Sequence, residues 1–168
     1  MYVGHAAIAA LLKGKRPRVP IVLLVPIAFA PDWIDSFSHV VHHPNVIVSH
    51  SLVSVAIGAT LCGLLYGFWS RSTADGLVVW LAYVSHWFAD LVTGIKPTWV
   101  RGPMLGLGLY AHPVWDFVIE SVLVVACWLV YRRSLPVPAR RRSIGLLIPL
   151  GLIAMQIVFE ALQRPTVL

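Results

Sequence analysis

Charge is what this sequence has least of. Asp, Glu, Lys and Arg make up 12% of its residues, against roughly 25% in an ordinary soluble domain. With 58% of the residues hydrophobic, there is too little polar surface to wrap an apolar core. A soluble globular domain is thereby excluded, and a small polytopic membrane protein of one domain, residues 1–168, is the expectation. Cysteine is scarce too: Cys62 and Cys127 both fall in apolar runs without metal-type spacing and read as buried free thiols. There is no internal repeat and no long polar tail. The net charge of +6 does not point to nucleic acid, because the basic residues form short clusters between apolar runs, as topology signals do.

What is present is a series of apolar segments with punctuation. Residues 1–12 are apolar but too short to span, and the basic cluster Lys13, Lys15, Arg16, Arg18 follows them, which argues against a cleavable signal peptide. A short N-terminal helix packed on the bundle is expected there. Residues 19–33 carry Pro20 and Pro26 and read as a kinked or partial span. Val46–Trp69, Gly76–Val92, Pro113–Tyr131 and Ser143–Leu162 read as spans, with a Gly- and Pro-rich connection at 93–111 forming a re-entrant or surface piece. The predicted fold is all-α: a membrane helix bundle of about four to five spans plus the short N-terminal helix.

Placing the clusters at 13–18, 71 and 132–142 on one side gathers ten of the thirteen Lys and Arg residues there, leaving Lys96, Arg101 and Arg164 opposite. The positive-inside rule makes the ten-residue side cytoplasmic. The segments 31–45 and 93–112 then face outward from a multi-pass protein of the inner (plasma) membrane.

The seven acidic residues are not scattered. Ala30–Pro44 alone holds two of them and three of the seven histidines. Pro31 followed by Asp32 is a helix-start signal, and on a helix Asp32, Asp35, His39 and His43 share one narrow face. At 1.5 Å rise per residue, Asp32, Asp90 and Asp116 lie about 21, 22 and 24 Å from the basic edge, in the outer half of a hydrocarbon core about 30 Å thick. An isolated carboxylate at that depth costs several kcal/mol, so such residues face the bundle interior and find partners or metals. His86-Trp-Phe-Ala-Asp90 sets an imidazole and a carboxylate at i, i+4, and His112-Pro-Val-Trp-Asp116 repeats the spacing with Glu120 one turn deeper. His86 and Asp90 are metal-ligand candidates, the alternative being a hydrogen bond that pins two helices. His112 and Asp116 stand between ligand and outer-shell support. Ser49-His50-Ser51 opens a span. Glu160 precedes Arg164 by four residues, the spacing of a helix-end ion pair. Trp33, Trp69 and Trp99 lie near predicted interfaces and fit a membrane belt.

Taken together, His5, Pro31-Asp32-x-x-Asp35, Ser-His50-Ser and His86-x3-Asp90 followed by Thr93-x-Gly resemble the LexA-regulated, inner-membrane metal-dependent hydrolase family over about residues 5–94. The chain departs from that pattern at His42-His43-Pro44-Asn45, where the family carries a His-Arg pair, and in a wider aspartate spacing. The resemblance implies metal binding by His5, Asp32, Asp35, His50, His86 and Asp90.

Carboxylates and imidazoles in this number suit one or two divalent transition-metal ions, Zn or Mn. Such an ion brings a bound water to a pKa of about 7 and polarises the bond under attack. Asp35 is then expected to serve catalysis, with His39 and His43 as general acids or supporting groups. The depth of the site favours a membrane lipid or lipid-linked (phospho)ester as substrate, although only Lys96 and Arg101 lie on that side to hold a phosphate; an ester or amide stays open. A lipid phosphatase of the vanadium-haloperoxidase type is set aside, since Val79-Trp80 stands where Ser-Arg is required and no Pro-Ser-Gly-His motif occurs. A metal-ion or proton transporter is the main alternative, because intramembrane Asp and His also build ion pathways. A purely structural membrane protein is the third reading.

Overall fold

The computed structural model describes residues 3–41, 49–99, 102–140 and 143–163. Among them, eight α-helices run in the order α1 (Gly4–Lys15), α2 (Ile21–Ala28), α3 (Ala30–Val41), α4 (Leu52–Ser70), α5 (Thr73–Thr93), α6 (Pro113–Ser134), α7 (Val137–Arg140) and α8 (Leu147–Gln163). Three of these, α4, α5 and α6, are long and apolar enough to cross a membrane. The all-α architecture and the short N-terminal helix are as expected; the count of four to five spans is not reached among the described residues. The reason lies in the prolines. Pro26 sits inside α2 and Pro31 opens α3, so the chain breaks at Phe29, and α2 is left with eight residues, about 12 Å of helix. The last expected span is α8, which among the described residues is a shorter apolar helix over Leu147–Val158.

Helix starts follow local chemistry. Ser51 and Ser72 cap α4 and α5, their hydroxyls accepting from the Ser54 and Asp75 amides. Pro113 occupies the first turn of α6, where its missing N–H leaves no bond unmade. The connection at 93–111 is a small antiparallel pair, β1 (Lys96–Pro97) against β2 (Met104–Leu105), followed by a 3₁₀ turn at Leu109–Ala111. It is fastened to the end of α5 by Leu107 N–H to Leu91 O at 2.8 Å and Gly108 N–H to Gly94 O at 3.2 Å. Gly106, at φ +143°, lies so close to the Gly94 carbonyl that a Cβ there would collide with it.

Two helix pairs form the body. α4 and α5 are an antiparallel hairpin, and α1 lies parallel to α6; α1 and α2 then pack on α5. Close approach in the hairpin is made by glycine: a Cβ on Gly76 would sit 2.8 Å from the Gly67 Cα, and one on Gly63 2.9 Å from the Trp80 Cβ. The basic residues collect at one end. Arg16 Nε donates to Asp75 Oδ1 at 3.0 Å, and Gly14 abuts Tyr131 and Ser134 just before Arg132 and Arg133 reach the end of α6. His5 and Asp90 meet at the opposite end. The buried Cys127 and half-buried Cys62 are free thiols. Trp33, Trp69 and Trp99 are all exposed, as a membrane belt requires.

Gly76→Ala is therefore expected to destabilise the protein by about 1–3 kcal/mol through overpacking. Gly151→Ala, where an added Cβ meets nothing within 4 Å, should lose nothing. Unfolding midpoints in detergent, measured side by side, compare the two.

Candidate metal centre

Four residues from three separate stretches converge at the end opposite the basic cluster. Asp32 of α3, His50 before α4, and His86 and Asp90 of α5 each offer one ligand atom, and these atoms lie within 4.8 Å of one another. His50 Nε2 is 3.0 Å from Asp32 Oδ1 and 3.7 Å from Asp90 Oδ2. His86 Nε2 is 3.4 Å from each of the same two oxygens. The two imidazole Nε2 atoms stand 3.2 Å apart.

The ring orientations are set from behind. His86 Nδ1 lies 2.8 Å from the Ala28 carbonyl oxygen. A carbonyl only accepts, so Nδ1 carries the proton. That carbonyl is open to a side chain because α2 ends there, and the last four carbonyls of a helix have no intrahelical partners. Pro26 and Pro31, by ending α2, thus help choose the tautomer of a histidine almost sixty residues away. His50 is treated the same way. Ser49 Oγ donates its only proton to Asp35 Oδ1 at 3.3 Å, so the 2.9 Å contact with His50 Nδ1 has the imidazole as donor. In their neutral forms both rings then direct Nε2 lone pairs into the space between the two carboxylates. Only a positive charge makes that arrangement favourable, and histidine ligands held by an outer carboxylate or carbonyl are the usual pattern at metal sites.

His5 approaches from α1. It is fully buried, stacks on His86 with centroids 4.1 Å apart, and has Nε2 3.3 Å from Asp90 Oδ1. Neither of its ring nitrogens makes an aligned hydrogen bond. Burial pushes this imidazole down to about 4, so it is neutral near pH 7. For Asp32, burial pushes the carboxyl up, but the His50 and His86 imidazoles beside it outweigh burial and leave the group below the usual carboxylate range. Asp32 is also the open edge of the site: its side chain is 44% exposed, that of Asp90 4%.

Of the expected ligands, Asp32, His50, His86 and Asp90 come together. His5 touches them from one side, and Asp35 stands one residue back, acting on His50 through Ser49. His39 belongs to α3, but its side chain lies outside the described residues, as does all of His43. His112 is exposed at the start of α6, away from the cluster, and Asp116 is buried near Glu120.

Two residues gain roles that spacing did not assign. Lys96, expected only as a phosphate holder, is carried by β1 to Asp90, with Nζ 2.8 Å from Oδ2. Glu120, read as the continuation of a polar stripe, accepts the Val3 and Gly4 amides on Oε1, both at 2.7 Å. It satisfies the open N-terminus of α1 and so fixes the helix that carries His5. A carboxylate placed to cap a helix more than a hundred residues earlier leaves no local signal in the sequence.

Fold and cluster together define a membrane-integral helical protein with a buried His/Asp group able to hold a metal ion. No family model matches the chain, and neither a curated protein nor a solved structure does.

Ser49→Ala breaks the relay from Asp35 to His50 without touching a ligand. Metal affinity, read by competition with a chromophoric chelator, should fall about 10- to 100-fold, with the stoichiometry at saturation unchanged.

Proposed function

We propose that this chain is a membrane-bound, metal-dependent hydrolase acting on a lipid or lipid-linked (phospho)ester at the outer side of the membrane. The observation that carries the reading is the set of four acceptor atoms facing one another. Five of their six separations run from 3.0 to 3.7 Å, and all lie within 4.8 Å. A tetrahedral ion with ligands at 2.0–2.1 Å needs edges of about 3.3–3.4 Å, within that range, and a set of two imidazole nitrogens and two carboxylate oxygens suits zinc.

A divalent ion there supplies Lewis acidity and the acidification of a water to a pKa of about 7. The chain's own residues supply the rest. The Ala28 carbonyl and the Asp35–Ser49 pair hold the two imidazoles in their donor orientation. Lys96 offers an ammonium for an anionic ester oxygen, at the cost of its contact with Asp90. Asp32 leaves the approach open on the α3 side, where Trp33, Ile34 and Phe37 are exposed and suit a lipid interface. His39, in the same helix, and His43 are the candidate general acids. The order of His5, Asp32, His50, His86 and Asp90 along the chain, similar to the inner-membrane hydrolase family, adds support from the sequence.

The transporter reading is the weaker one. Between His86 and Asp75, α5 buries Val78, Val79, Ala82, Tyr83 and Val84, a stretch whose one polar side-chain group is the Tyr83 hydroxyl, where an ion route would need a series of them. Among the described residues, the buried ionisable groups apart from Asp75, which is held by Arg16, gather toward the other end.

Elemental analysis of purified protein should find one zinc-class ion per chain, lost in His86→Ala and in Asp90→Asn. Metal-loaded protein should release product from membrane phosphoesters, while proteoliposomes pass no metal or protons above empty vesicles. Metal-free protein that is folded and equally stable with and without added Zn²⁺ overturns the site.

The orientation is tested separately, in a background without Cys62 and Cys127. A cysteine at Thr98 should react with an impermeant thiol reagent from outside, and one at Pro138 only after permeabilisation. The reverse pattern moves the site to the cytoplasmic face.

A further inference from the structure

α5 and α6 share no substantial packing interface; each leans on α1 instead. The gap between them is an apolar groove of about 440 Å³. Ile8 of α1 contributes to it, Val84, Phe88 and Val92 of α5 form one wall, and Ile119 and Leu123 of α6 form the other. Ser85, the only hydroxyl in the lining, already donates to the Ala82 carbonyl at 2.8 Å, so the groove offers a ligand no free side-chain hydroxyl.

The location of the groove limits what can fill it. Both walls belong to helices long and apolar enough to span a membrane, so hydrocarbon is the surrounding solvent, and neither water nor vacuum is stable against such a lining. Along α5 the lining runs from Val92 back to Trp80, about 18 Å at 1.5 Å per residue. Half of a hydrocarbon core about 30 Å thick is roughly 15 Å, so the groove is about one leaflet long. It begins beside the His/Asp cluster: Ala89 and Ser85 in its lining precede Asp90 and His86 directly, and Ile8 lies one turn from His5. A helix about 10 Å across and equally long would fill some 1,400 Å³, three times what the groove provides. A single extended chain is the better fit.

We propose that this groove is an acyl-chain slot, holding one tail of a membrane lipid along α5 with its polar end at the His/Asp cluster. That a lipid tail fills the groove follows from the membrane setting; that the tail belongs to the substrate rests on the hydrolase reading. The slot would make the protein select for tail length and shape as well as for the headgroup.

The test uses full-length protein in nanodiscs of phosphatidylcholine and phosphatidylglycerol, doped with a phosphatidylcholine that carries a diazirine in its tail. After irradiation, label should concentrate on Phe88, Ile119 and Leu123 over the exposed Leu61 and Leu65 of α4. Ser85→Phe and Leu123→Trp fill the groove from opposite walls, and each should lower groove labelling by about tenfold, equivalent to about 1.4 kcal/mol. Metal content at the wild-type level shows that each variant is folded with its centre intact. Even labelling of groove and outer surface, or groove labelling that survives both substitutions, overturns the slot. So does cross-linking of Phe88 to a second copy, which would make the occupant a protein. Groove-specific labelling without turnover of any lipid leaves the slot standing and removes only its assignment to a substrate.

Discussion

Two imidazole nitrogens 3.2 Å apart, flanked by two carboxylates, are stable only with positive charge among them. The pieces around the cluster can be understood as answers to that requirement. The Ala28 carbonyl and the Ser49 hydroxyl take the Nδ1 protons, so the Nε2 lone pairs have no direction but inward. Lys96 brings an ammonium to one carboxylate from the hairpin beyond α5, and neutral His5 closes the side of the other oxygen. Without positive charge among them, the same groups make a repulsive contact in a medium too apolar to screen it.

The bundle is built so that this one end can be polar and the other basic. α1 does most of the joining. At its first turn, Glu120 takes two amides and sets the height of His5; at its last, Arg16 reaches Asp75. α1 therefore links α5 and α6 at both ends without bringing them together, and the groove between the two spans is the consequence. The tight α4–α5 hairpin, with glycines where the backbones meet, leaves α5 rigid enough to carry His86 and Asp90 as one unit.

Much of this was legible in the sequence. Missing charge implied membrane integration, and the longest apolar helices are the three candidate spans. The clustering of Asp and His at one depth identified four residues that converge, since a buried carboxylate in hydrocarbon must find a partner and the i, i+4 pairing of His86 with Asp90 shows in the spacing alone. Less was legible where prolines interrupt: residues 19–33 read as a kinked or partial span, and they hold the eight-residue α2 and the start of α3, because two prolines so close together remove more backbone bonds than one bend can replace. Asp35 read as a ligand and stands behind Ser49, since periodicity puts residues on a face but does not measure reach.

By itself, then, the sequence determined the helical class, the membrane setting, the basic and acidic ends, and the residue types of the centre. These depend on composition and on short-range periodicity, which are properties of the chain read locally. The tertiary structure alone decided which nitrogen of each imidazole faces inward, that Lys96 pairs with Asp90, that Glu120 caps α1, and that a leaflet-long groove opens between α5 and α6. Each of these depends on contacts between segments tens of residues apart or more, or on the want of such contacts. Their geometry is set by how helices pack, and no local pattern records it.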